Sequence, residues 1–199
     1  MTMSPRPTPL LLVHGFWFGS WCWSEVIARV AAAGRVAQAV DLAGHGLRAR
    51  WPKCLAQSPE NADSLVAQVM RGDPGVIGAL RIDLASADAD YRRRLRAAYF
   101  DDIAPDAAEA AIGLLTPDSP LAMQIDSTRL TRDGWGSVPR TYVVCEQDWA
   151  LRPAVQRRLI AEADAAFPEN PTSVVTLDSS HSPFLSMPGQ VADIFTKLH

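Results

Sequence analysis

Two short apolar runs, Leu10-Leu11-Leu12-Val13 and residues 36–40, flank a stretch whose apolar side chains recur every three or four positions. This strand–helix–strand order constrains the fold more than any other feature of the chain. The first run closes on His14-Gly15, the pattern of a strand buried on both faces that ends in a turn. Between the runs, Trp23, Val26, Ile27, Val30 and Ala31 share one face of a helix expected over residues 21–33. Ser20 is its expected N-cap and Gly34 its stop. The second run ends at Asp41 and the turn glycines Gly44 and Gly46. Two strands joined by one crossover helix pair in parallel, so a parallel sheet is expected.

The same alternation returns near the end of the chain. Strands are expected at 141–145 and 173–177, a helix at 153–167 that opens on Pro153, and a last helix at 188–198. The middle differs, with helical stretches at 62–71, 74–82, 88–99 and 105–115 and almost no β-branched runs. It reads as a helical insertion or cap. The expected fold class is therefore α/β, with about four parallel strands and one composite domain: residues 1–57 and 138–199 form the core and 58–137 the cap.

Composition narrows the function classes. Nineteen Lys and Arg against 22 Asp and Glu give a net charge of −3, which leaves no footprint for nucleic acid or an anionic membrane. Residues 1–13 carry one basic residue, three prolines and a four-residue apolar run, which does not make a signal peptide. No stretch nears the 18 or so apolar residues a membrane span needs. Cys22, Cys54 and Cys145 are odd in number and form no C-x-x-C pair, as in a reducing compartment, so a cytoplasmic protein is expected. His14, His45, His181 and His199 lack ligand spacing, and neither a metal nor a cofactor is expected. Gly44-His45-Gly46-Leu47-Arg48-Ala49 fits a dinucleotide fingerprint in form, but Trp51-Pro52 interrupts the long helix such a loop must open. Residues 91–96 are basic, but acids flank them, as on a solvated helix face.

In open α/β sheets the reactive groups gather beyond the carboxyl ends of the strands. Asp148 follows the third core strand and His181 the fourth. An acid that fixes the tautomer of an imidazole base, and stabilises its cation, needs that pair. The turn His14-Gly15-Phe16 after the first strand offers the Phe16 amide to a developing oxyanion. Trp17 and Trp149 adjoin this turn and the acid, and are expected to line an apolar pocket for an aromatic or acyl group.

At these residues the chain resembles the α/β-hydrolase superfamily, in the branch that holds plant methyl-ester esterases, hydroxynitrile lyases and their bacterial relatives. LLVHGFWFGSWCW at 11–23 is similar to that branch's H-G-x-W-x-G-x-W-x-W opening, DLAGHG at 41–46 to its second-strand turn, and SHSPF at 180–184 to its histidine loop. The resemblance covers residues 8–52 and 138–194. It implies a hydrolase of small carboxylic esters with Asp148 as acid, His181 as base, and His14, Gly15 and Phe16 as the oxyanion turn.

One part is missing. The superfamily's nucleophile sits on a G-x-S-x-G turn, and none of the 12 glycines here has serine two positions on. No buried strand precedes the place for such a turn, so both middle strands of the family's sheet are expected to be deleted, with the join near residues 54–60. The first core strand must then pair with the strand at 141–145, or leave strand edges that invite homodimerisation or aggregation. No serine or cysteine is assigned as nucleophile. The expected activity is ester hydrolysis that is weak or lost, on a small apolar or aromatic ester-like partner. Two alternatives stay open: a non-enzymatic module that binds a small ligand or a partner, and a His181-based lyase or cyclase without a covalent intermediate.

Overall fold

The computed structural model describes residues 8–42, 64–120 and 130–198. Strand β1 (Leu10–Val13) leads through a turn and a 3-10 segment (Ser20–Trp23) into α1 (Ser24–Ala32), and β2 (Ala37–Val40) returns parallel to β1, with Leu10 opposite Ala37 and Val13 opposite Val40. Gly34 ends α1 with φ of 79°, a left-handed conformation that glycine adopts without strain. Ser20 does not cap the helix by its side chain. Its N–H donates instead to Asp41 Oδ1 at 2.6 Å, tying the start of the helical segment to the end of β2.

The cap contains α2 (Leu65–Val69), α3 (Pro74–Ile77), β3 (Ala79–Arg81), α4 (Ala89–Phe100), α5 (Pro105–Gly113) and β4 (Asp118–Pro120). The expectation of a wholly helical middle is corrected here, because β3 and β4 form an antiparallel pair. Gly78, at φ of 74°, stops α3 before that pair, and the Arg81 guanidinium reaches Asp118 Oδ1 at 2.7 Å across it. The closing half runs β5 (Thr141–Cys145), α6 (Pro153–Ala166), β6 (Ser173–Leu177), α7 (Pro183–Ser186) and α8 (Pro188–Thr196). Strands β5 and β6 are parallel, with Thr141 opposite Ser173 and Cys145 opposite Leu177.

The four core strands thus form two separate parallel pairs. Among the described residues β1 does not pair with β5, so of the two expected arrangements the open one is found. The expectation that β1 is buried on both faces is also corrected. Leu12 is buried, but Leu11 is 66% and Val13 46% exposed, because these two side chains share the strand's other face and that face is left uncovered. Helices join the halves where the sheet does not: Val26 and Val30 of α1 pack with Leu177, Val191 and Ala192, and Arg35 donates to the carbonyls of Phe195, Leu198 and Thr8. A second core lies between the β1 turn and the cap, where Trp17, Phe18 and Cys22 meet Leu80, Tyr91, Leu95, Tyr99, Phe100 and Ile112. Gly44, His45, Gly46, Cys54 and the expected join at 54–60 lie outside the described residues.

Candidate active site

Adjacent strands β5 and β6 each end in a turn, and those turns hold each other. The Glu146 N–H donates to Leu177 O and the Gln147 N–H to Ser179 O, which sets the two loops side by side. Asp148 is buried in the first. Its Oδ1 accepts the N–H groups of Ala150 and Leu151, each at 2.8 Å, so an Asx-type turn fixes the carboxylate. Its Oδ2 lies 2.9 Å from His181 Nδ1 and 3.3 Å from Gln156 Nε2. A carboxylate can only accept, so in the neutral imidazole the proton shared with Asp148 is on Nδ1 and the lone pair is on Nε2. The His181 side chain is about 30% exposed, and among the described residues no hydroxyl or thiol bonds to Nε2.

The turn after β1 is held from several sides. His14 is buried, its Nδ1 faces Gly15 O at 2.8 Å, and its Nε2 accepts the Leu42 N–H at 3.1 Å. Both ring nitrogens therefore serve the backbone, and His14 braces the turn. An added Cβ at Gly15 meets nothing within 4 Å, so the turn opens onto free space there. Trp17 has φ of 64°, an unfavourable conformation for a bulky residue. Two bonds to the cap secure it: the indole N–H donates to Leu80 O at 3.1 Å, and Trp17 O accepts the Thr116 N–H at 2.7 Å.

Among the described residues no ring contact joins the two tryptophans expected to line one pocket. Trp17 is 4% exposed and packs on Phe16 and Tyr99, whereas Trp149 is 38% exposed with the Arg152 guanidinium 3.9 Å over its ring. A cavity of about 700 Å³ between α6 and β5, lined by Leu130, Trp135, Arg140, Tyr142, Leu159 and Phe167, includes none of the expected site residues. Among the described residues no three His, Cys, Asp or Glu side chains gather as metal ligands, and no helix is long and apolar enough to cross a membrane.

Other residues around the pair complete its setting, and of these Gln156 and Tyr99 carried no signal in the sequence. Gln156, 2% exposed on α6, accepts the Cys145 N–H through Oε1 and donates through Nε2 towards Cys145 O and Leu151 O as well as Asp148. Ser64 caps α2 and donates to Ala150 O at 2.6 Å, which fastens the cap to the acid loop. Tyr99 sets its ring edge-on to His181 with centroids 5.5 Å apart, and burial holds its phenol protonated far above the usual tyrosine range. Burial likewise pushes the Cys22 thiol up to about 12, so it acts as a small core hydrophobe.

Comparison with known proteins gives the family. The model of the "Alpha/beta hydrolase family" matches residues 58–194, well over half of the chain. Alpha/beta hydrolase nvfD of Aspergillus novofumigatus is 30% identical over 131 residues, 65% of this chain and 48% of that protein, so the match spans about half of the fungal protein. Methylesterase 1 of Arabidopsis thaliana is 23% identical over 266 aligned positions, which take in 100% of this chain and 98% of the plant protein. Since this chain has 199 residues, at least 67 of those positions (266 less 199) have no residue here, which is an internal shortening. The solved pyrethroid hydrolase PytH superposes with a TM-score of 0.70 at 20% identity, covering 94% of this chain and 95% of that one. With a family model matched over residues 58–194, two parallel strand pairs and a relative aligned over its whole length, this chain belongs to the alpha/beta hydrolase family.

Proposed function

We propose that this protein hydrolyses small carboxylic esters slowly, using water that His181 activates and without a covalent intermediate. The observation that carries this reading is the 2.9 Å bond between His181 Nδ1 and Asp148 Oδ2, with no serine or cysteine hydrogen-bonded to Nε2 among the described residues. Nε2 takes a proton from water as the water oxygen attacks the ester carbonyl. Asp148 stabilises the imidazolium that forms, and the proton then passes to the departing alkoxide. The Phe16 N–H is the oxyanion donor. A general base adds about 10²–10⁴-fold to rate, whereas loss of a triad nucleophile costs on the order of 10⁶, so turnover stands far below that of a serine esterase.

The test pairs p-nitrophenyl and methyl ester hydrolysis with intact-mass measurement after a serine-reactive fluorophosphonate. The expected result is slow hydrolysis above the buffer blank, abolished in His181→Ala, and an unshifted mass. A stoichiometric adduct, or hydrolysis that persists in His181→Ala, overturns it. The open Nε2 also favours a second reading, a lyase in which His181 shuttles a proton on a bound substrate. That reading requires a His181-dependent conversion in which no ester bond is cut.

A further inference from the structure

We propose that Asp102, delivered by the C-terminal end of cap helix α4, is a positioning residue that keeps His181 Nδ1 on Asp148. The inference rests on the reading of His181 as the base. Asp102 lies two residues beyond α4, and both of its carboxylate oxygens end on Ser180, the residue before His181. Oδ2 accepts the Ser180 N–H at 3.0 Å, and Oδ1 accepts the Ser180 Oγ–H. Ser180 is 1% exposed, so without Asp102 its N–H is buried with no acceptor among the described residues.

Three consecutive residues of this loop are therefore fixed from three directions. Ser179 O is held by the Gln147 N–H of the acid turn, Ser180 by Asp102 of the cap, and the His181 ring by Asp148. The same end of α4 supplies Tyr99, whose ring blocks one side of the imidazole. The Tyr99 hydroxyl is buried with no hydrogen-bond partner among the described residues, so that contact acts by shape. Shape alone leaves the imidazole free to slide along its plane or to flip, and the hold on Ser180 removes that freedom. The cap thus mounts the base as well as covering it.

The test uses the full chain with ¹⁵N-labelled histidine. Ring ¹H–¹⁵N spectra at one pH report the His181 tautomer, and the low-field Nδ1–H proton reports its bond to Asp148. In the wild type the ring carries its proton on Nδ1. Asp102→Ala should erase the low-field signal, shift the proton towards Nε2, and slow ester hydrolysis about 10- to 100-fold, the scale of a small misplacement. Asp102→Asn, whose amide oxygen accepts the Ser180 N–H and whose NH₂ reaches Oγ, should restore the signal and most of the rate. Asp101→Ala, the neighbouring carboxylate, should change neither.

A wild-type tautomer and low-field signal in Asp102→Ala overturn the proposal. Should that variant fail to fold, Ser180→Ala decides: it keeps one of the two bonds and should exchange the Nδ1 proton faster with water, and an unchanged rate overturns it. If the wild type hydrolyses no ester, the reading of the site fails, while the spectra still decide the role of Asp102.

Discussion

Replacing Gln156 by leucine tests the idea that one side chain stands in for an absent strand. Since the Glu146 N–H points to β6, the alternation of a strand sends the N–H and C=O of Cys145 to the opposite, open edge of β5. Gln156 meets them as a neighbouring peptide would, with Oε1 at 3.0 Å from the N–H and Nε2 at 3.1 Å from the carbonyl. Leucine preserves the volume and removes both bonds, together with those to Leu151 O and Asp148 Oδ2. The Cys145 carbonyl keeps the Asp148 N–H, but the buried Cys145 N–H is left unpaired, which costs about 1–3 kcal/mol. At a urea slope of about 2 kcal/mol per molar, the midpoint should fall by about 0.5–1.5 M. Tryptophan fluorescence reads the transition, since the chain has six tryptophans. A midpoint within about 0.3 M of the wild type refutes the reasoning.

Gln156→Glu sharpens the same test. It keeps an acceptor for Cys145 but sets a second carboxylate against Asp148 Oδ2, where Nε2 now sits at 3.3 Å. Like charges so close raise the folded-state pKa of the pair above its unfolded value. The stability tied to that proton is full below about pH 4 and is lost as pH rises through the raised value, so the variant should fall furthest behind the wild type near neutrality.

Further outcomes follow from single groups elsewhere. The Asp88 carboxylate caps α4 by accepting the N–H groups of Asp90 and Tyr91, which holds its pKa below the usual range. Its contribution is present above about pH 4 and lost as pH falls through the depressed value; Asp88→Ala should remove that part of the acid limb, and an unchanged acid transition counts against it. The Cys22 thiol, raised to about 12 by burial, should not react with Ellman's reagent at pH 8 until the chain unfolds; in a Cys54→Ser, Cys145→Ser variant, which leaves Cys22 alone, prompt labelling of the native protein contradicts its burial. Gly34→Ala meets no steric obstacle but keeps a φ of 79°, so it should cost about 1–2 kcal/mol in thermal or urea unfolding through backbone strain alone.

What the sequence disclosed depended on the range of the interactions involved. Strands β5 and β6 occupy the residues their apolar runs indicate, and Gly34 ends its helix, because these depend on neighbours a few positions away. Strands β3 and β4 were hidden: each has three residues, and each exists because the other stands opposite, across 37 positions in the case of Arg81 and Asp118. The Asp148–His181 pair was legible because strand ends gather reactive groups. Asp102 was not, since its partner lies 78 residues on and its local setting is a charged helix end. His14 illustrates a third case, in which a histidine in the expected turn spends both nitrogens on the backbone.

Asp148 and His181 lie in the turns that follow two strands that are each other's immediate neighbours, paired from Thr141–Ser173 to Cys145–Leu177. The side chains are therefore brought together by that strand pair and by the bonds of Glu146 and Gln147 to the neighbouring loop, while Ser64 and Asp102 brace the two turns from outside the pair. The number of strands ahead of β5 does not enter that geometry, but the two braces do, so a shortening upstream leaves the bond between Asp148 and His181 in place only where it spares residues 64 and 102.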